Sequence, residues 1–109
     1  MKNVIILGAD GNIARQVIEM LQKKEDINPT LFLRNAQRIK NREFDKSHVI
    51  DGDVLDYNKL KRAITGQDIV YANLSGDIEN MAINIVKVME ETGVAKLIFI
   101  CSMGIYDLP

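Results

Sequence analysis

Five short apolar runs, set apart by polar stretches that carry helical spacing, constrain this chain more than any other feature. The runs are Val4–Leu7, Thr30–Leu33, His48–Ile50, Asp68–Ala72 and Lys96–Cys101. Each is too short to be a helix, and most are rich enough in Val, Ile, Leu and Phe to be buried on both faces. Between them, Ile13, Val17, Ile18 and Leu21 recur at helical spacing, and Asn28-Pro29 stops that segment. Asp56 can cap a helix carrying Leu60 and Ile64 that ends at Gly66. Asp77 can cap a longer helix, closed by Gly93, whose Ile78, Met81, Ala82, Ile85, Val86 and Met89 form an apolar stripe. Residues 35–47 are polar and basic, with at most one helical turn. This alternation predicts an α/β fold with a doubly wound parallel sheet and helices on both faces. Right-handed crossovers make 3-2-1-4-5 the expected strand order.

At 109 residues the chain is one domain or less, so 1–109 reads as a single unit with no separate substrate domain. A net charge of −1 gives no reason to expect nucleic acid or an acidic membrane as partner. No apolar run approaches the roughly 20 residues of a membrane span, and no signal peptide precedes the first strand. Cys101 is the single cysteine, which suits a reducing cytoplasm and rules out an internal disulfide. With His48 the single histidine, zinc has too few of its usual ligands. The sequence stops at Tyr106-Asp107-Leu108-Pro109, just past the fifth strand. The expectation is therefore a C-terminally incomplete fold whose exposed fifth strand promotes self-association.

The first run leads straight through Gly8-Ala9-Asp10-Gly11-Asn12-Ile13-Ala14 into helical spacing. That is the junction at which α/β proteins seat the pyrophosphate of a dinucleotide. Gly8 permits the tight turn, and Gly11 lacks a Cβ, so N–H groups near Asn12 and Ile13 can approach phosphate oxygens. The first helical turn adds partial positive charge. Ala14 is small enough for close helix–strand packing. The alternative is an ordinary strand–helix turn.

The end of the second strand selects among dinucleotides. An NAD site places an Asp or Glu there, accepting from the ribose 2′-hydroxyl. Here the position holds Arg34, and no acidic residue occurs from Ile27 to Arg42. A guanidinium can bind a 2′-phosphate through two charge-assisted hydrogen bonds, which a carboxylate would repel. NADP is therefore expected before NAD. Arg38, Lys40 and Arg42 read as a solvated basic loop that adds to the field.

With these residues in view, the chain resembles the short-chain dehydrogenase/reductase superfamily, in particular its atypical and extended, NmrA-like branches with a Rossmann-like fold. Gly8-Ala9-Asp10-Gly11-Asn12-Ile13-Ala14 is similar to the family's G-A-x-G-x-[IL]-[GA] loop. Asp51-Gly52-Asp53-Val54 resembles the stretch that holds adenine. The resemblance implies that Asp53 accepts from the exocyclic amine while the Val54 N–H donates to a ring nitrogen. Asp53 could equally shape a turn. Leu74-Ser75-Gly76 falls where the family keeps a small-residue turn against the cofactor's ribose, again with a turn-only alternative. Cys101-Ser102-Met103-Gly104-Ile105-Tyr106 looks like S-S-x-x-V-Y-G, which puts Ser102 at the catalytic serine or leaves it a strand-end hydroxyl bonding backbone. The family keeps its catalytic tyrosine in a Y-x-x-x-K motif on the helix after this segment, and no lysine follows Tyr106 in this sequence.

Two functions follow as expectations. One is an NADP(H)-binding oxidoreductase-type domain that moves hydride to an unknown carbonyl-type small molecule. The other is a non-catalytic NADP(H)-sensing regulator. A phosphoacceptor receiver domain lacks its first acidic pair and its strand-5 lysine here, and a P-loop lacks its Gly-Lys-Ser/Thr.

Overall fold

The computed structural model describes residues 2–8, 19–20, 23–24, 26–34, 48–74, 76–101 and 104–108, with 48, 100–101 and 104–108 described by backbone alone. The strands are β1 (Lys2–Leu7), β2 (Ile27–Leu33), β3 (His48–Asp51), β4 (Ile69–Asn73), β5 (Lys96–Cys101) and β6 (Gly104–Leu108). The helices are α1 (Tyr57–Ile64) and α2 (Ile78–Thr92). Glu19 and Met20 are helical as well, within the expected first helical segment; Lys23 and Asp26 are already in turns, and residues 9–18, 21–22 and 25 lie outside the described ones.

The sheet order is β3-β2-β1-β4-β5-β6. The first five strands are parallel throughout, which is the doubly wound 3-2-1-4-5 arrangement that the alternation predicts. β1 lies in the middle, with Ile5 beside Thr30 on one flank and Val70 on the other. β6 was not expected. It turns back antiparallel from β5, pairing Cys101 with Gly104 and Leu97 with Leu108. The expectation that β5 is an open edge is thereby corrected: its outer backbone groups have a partner, because a hairpin of two adjacent strands needs only a short connection.

β2 also begins earlier than expected. The sequence pattern stops the helical segment at Asn28-Pro29 and starts the strand at Thr30, yet both residues lie inside the strand, with Pro29 beside Val4. Alternate residues of a parallel strand bond to opposite neighbours. The Phe32 carbonyl accepts from Gly8 in the β1 direction, and the Leu33 carbonyl accepts from Gly52 in the β3 direction. Counting back, Pro29 faces β3, whose pairing starts only at Thr30. The missing N–H falls outside the described β2–β3 pairing, so the proline removes none of the described ladder bonds.

Alternation along β1 sends Ile5 and Leu7 to one face and Val4 and Ile6 to the other. The first face, with Phe32, Val70 and Ala72, is covered by Leu60, Ala63 and Ile64 of α1 and Met81, Ile85, Val88 and Met89 of α2. Leu60, Ile64, Ile85 and Val88 are fully buried, worth about 1.5–3 kcal/mol each. The stripe on α2 is rotated slightly from its sequence reading: Val88 is buried and Val86 is 46% exposed. The opposite face holds Val4, Ile6, Leu31 and Leu33, with Ile27, Ile69 and Tyr71 against them. Partial burial pushes the Tyr71 hydroxyl above the ordinary tyrosine value.

Both helices are N-capped as their sequences specify, while α1 closes at Thr65, one residue before the expected Gly66, with the Thr65 N–H bonded to Lys61 O at 3.1 Å. Asp56 accepts from Lys59 N–H at 3.3 Å and starts α1. Asp77 accepts from Asn80 N–H at 3.5 Å and from its side-chain amide at 2.8 Å. Gly93 closes α2 in the left-handed conformation (φ 78°), its N–H bonded to Met89 O at 2.9 Å. The two helices are tied along their outer surface. Glu91 accepts from the Tyr57 hydroxyl and pairs with Lys61 at 2.9 Å, while Lys87 lies 5.4 Å from the Tyr57 ring centroid. Lys61 first, then Tyr57, hold the Glu91 carboxyl below its usual value, and Glu91 in turn raises both of theirs.

Candidate dinucleotide site

In a parallel sheet all strand C-termini lie along one edge, and the crevice forms where neighbouring crossovers run to opposite sides. Here that point lies between β1 and β4, from which the chain proceeds to β2 on one side and β5 on the other. Gly8 stands at its centre. Its φ is +76°, and a Cβ built on it would lie 2.1 Å from the Asn73 carbonyl oxygen. Its N–H donates to Phe32 O at 2.8 Å, and its carbonyl accepts from the Asn73 side-chain amide at 3.4 Å. No other residue type fits both the dihedral and the space. The continuation through Asp10, Gly11, Asn12 and Ile13 lies outside the described residues.

The flanks of this edge carry the remaining candidates. Arg34 follows β2 directly and is exposed. After β3, Gly52 donates to Leu33 O at 3.0 Å. A Cβ at Gly52 would meet the Phe32 ring at 2.6 and 2.8 Å, so this glycine lets the ring close the core beneath the turn. Asp53 does shape a turn: its Oδ1 accepts from Leu55 N–H at 2.9 Å, and its carbonyl accepts from Asp56 N–H at 2.9 Å. That bond uses one carboxylate oxygen. Val54 is buried in the core at 5% exposure, and its carbonyl accepts from the Asn84 amide of α2.

On the β4 side, Leu74 is buried and belongs to the core rather than to a surface turn. Gly76 has φ +85° with nothing among the described residues within 4 Å of a Cβ position, an open left-handed turn immediately before the α2 cap. Ser75 and Ser102 lie outside the described residues, and Cys101 is described by its backbone alone. The sequence reading missed Asn73 and Gly52. Asn73 was legible in principle, since the expected strand order puts the end of β4 beside Gly8. Gly52 was quoted only for its neighbours, because its contact is with a ring 20 positions away. Among the described residues no group of three His, Cys, Asp or Glu could hold a metal ion. No described helix is long and apolar enough to cross a membrane.

A parallel doubly wound sheet with a glycine turn at its switch point defines a Rossmann-type dinucleotide fold. The chain belongs to the NAD(P)H-binding family, whose model matches residues 8–109. It is similar to a Rossmann-fold NAD(P)-binding family protein from Shigella flexneri, with 46% identity and a TM-score of 0.84, covering 89% of this chain and 50% of that one. It is also similar to a short-chain dehydrogenase/reductase (wide type) from Veillonella parvula solved in complex with NADP. There the identity is 30% and the TM-score 0.80, covering 90% of this chain and 46% of that one. Protein YmjC of Escherichia coli is 56% identical over 39 residues, which are 36% of this chain and 65% of that protein. The chain thus spans about half the length of the solved structures it resembles.

Proposed function

We propose that this chain is the NADP(H)-binding part of an atypical short-chain dehydrogenase/reductase that moves hydride between nicotinamide and a carbonyl-type small molecule. The observation that carries the reading is the edge shared by Gly8, Arg34, Asp53 and Gly76, each just beyond the end of a parallel strand. The residues fit a dinucleotide. Gly8 brings bare backbone to the switch point, where the diphosphate lies in folds of this kind, and Asp10, Gly11, Asn12 and Ile13 would continue that loop. Arg34 would hold the 2′-phosphate, with no carboxylate at the strand end to favour a free 2′-hydroxyl. The remaining Asp53 oxygen and the Val54 N–H would take adenine, while Ser75 and Gly76 would lie along the ribose on the other side. Bound nicotinamide supplies the hydride, and Ser102 would polarise the substrate oxygen. The NADP-bound relative from Veillonella supports the same cofactor.

The test compares thermal shifts. NADPH is expected to raise Tm more than NADH at equal concentration, because a ligand stabilises the state that binds it. Arg34→Glu is expected to erase or reverse that order without changing the Tm of the free chain, since Arg34 is exposed. Equal shifts by both nucleotides before and after the substitution would remove Arg34 from the site. Binding of NADPH with no oxidation of it by any aldehyde or ketone would leave the sensing role in place of the catalytic one.

A further inference from the structure

A side chain of α2 holds the turn after β3 from outside. The Asn84 amide nitrogen, on the second turn of α2, lies 3.2 Å from the Val54 carbonyl and 3.2 Å from the Leu55 carbonyl. Both partners can only accept, so the –NH₂ end must face them, and its two protons match the two oxygens. Asp53 and Asp56 hold the same turn from within. Those are local bonds that any Asx turn makes; Asn84 ties the turn to α2. α2 itself begins directly after Gly76, on the opposite flank of the switch point.

We infer that Asn84 is a positioning residue for adenine recognition: by gripping the Val54 and Leu55 carbonyls it fixes the direction of the Asp53 carboxylate and the Val54 N–H. The inference rests on the reading that this turn takes adenine. Three features converge on it. Asn84 is partly exposed, so its amide had water available and bonds backbone instead. The Val54 side chain is anchored in the core at 5% exposure, so the turn pivots about a fixed point and only its backbone direction is left to set. And the Glu91 tie to Tyr57 and Lys61 joins α1 to α2 at the far end, so α2 offers a firm base for the grip.

The experiment measures dissociation constants for two fragments of the cofactor, 2′,5′-ADP and reduced nicotinamide mononucleotide, with Asn84→Ala and with Asn84→Leu, which keeps the volume and removes both donors. Amide exchange at Leu55 and thermal melting are followed alongside. The expected result is about tenfold weaker 2′,5′-ADP binding, the size of one or two lost orienting hydrogen bonds. Nicotinamide mononucleotide affinity should be unchanged, with faster Leu55 exchange in a folded chain. A merely structural role would weaken both fragments together or lower Tm alone, and either outcome overturns the inference. So does unchanged 2′,5′-ADP affinity in either folded variant. The underlying reading fails separately: if the unaltered chain binds 2′,5′-ADP without perturbing the Val54 amide resonance, adenine lies elsewhere, and both readings fall.

Discussion

Gly8 and Gly76 flank one crevice, both with positive φ, and they differ in what surrounds them. At Gly8 the space of a side chain is taken by the main chain of Asn73; at Gly76 no described residue enters it. A backbone atom in a central strand cannot yield, because moving it disturbs the β1–β4 ladder. Open space can yield to anything. The first glycine is therefore required by the fold, and any benefit to a ligand follows from it. The second is required by its turn, and the room it leaves lies on the ribose side of the proposed site. Gly52 stands between them: it is crowded by the edge of an aromatic ring rather than by backbone.

Substitution by alanine should rank these three sites. Gly8→Ala combines left-handed strain with a backbone overlap, and a loss of about 3 kcal/mol or more in urea unfolding is expected. Gly52→Ala keeps an ordinary dihedral and must displace the buried Phe32 ring, so about 2 kcal/mol is expected, with a change in near-ultraviolet dichroism. Gly76→Ala meets no described atom and should lose about 1 kcal/mol from its dihedral alone. Its effect on NADPH affinity should exceed its effect on stability, reversing the pattern of Gly52→Ala. If Gly76→Ala unfolded the chain as readily as Gly8→Ala, the contrast between a crowded and an open glycine would collapse.

The smallest effect belongs to the outer tie between α1 and α2. The Glu91 carboxyl is held below its free value, so its contribution is present above the unfolded carboxylate range and fades as pH falls through the folded value. The Lys61 and Tyr57 values are raised, so their contributions are present below their unfolded values and fade as pH rises through the folded ones. Glu91→Gln should therefore lower Tm slightly at neutral pH, and melts of the two chains should converge in acid. A constant gap down to low pH would show that the carboxylate charge does not matter to the tie. Since the Lys61 and Glu91 side chains are 45% and 36% exposed, added salt should shrink the gap as well.

How much of this was legible in the sequence depended on the distance over which each cause acts. Asp56, Asp77 and Gly93 act within a turn of their own position, and the caps they promise are where the structure has them. The parallel order followed from alternation and handedness, which are also rules about neighbours in the chain. Pro29 misled because its meaning depends on which strand it faces and where that strand starts. Val86 and Val88 exchanged roles because a helix stripe is fixed only to within a residue or so until the sheet beneath it is known. β6 was missed because Gly-Ile-Tyr-Asp-Leu has little strand pattern of its own and pairs with what precedes it. In the candidate site, Gly8, Arg34, Asp53 and Gly76 could be named from local pattern. Asn73 and Asn84 could not, since what gives each its role is a carbonyl brought near by the fold.

The central position of β1 has a consequence for how the molecule comes into being. Asn3 and Asp68, 65 positions apart, exchange hydrogen bonds at the amino edge of the sheet, so β1 waits for a strand made much later. A nascent polypeptide emerging from the ribosome can form β1 and β2 side by side, but it holds one flank of β1 open until β4 arrives. Such long-range pairing slows refolding and leaves a sticky, half-assembled species for chaperones to shield.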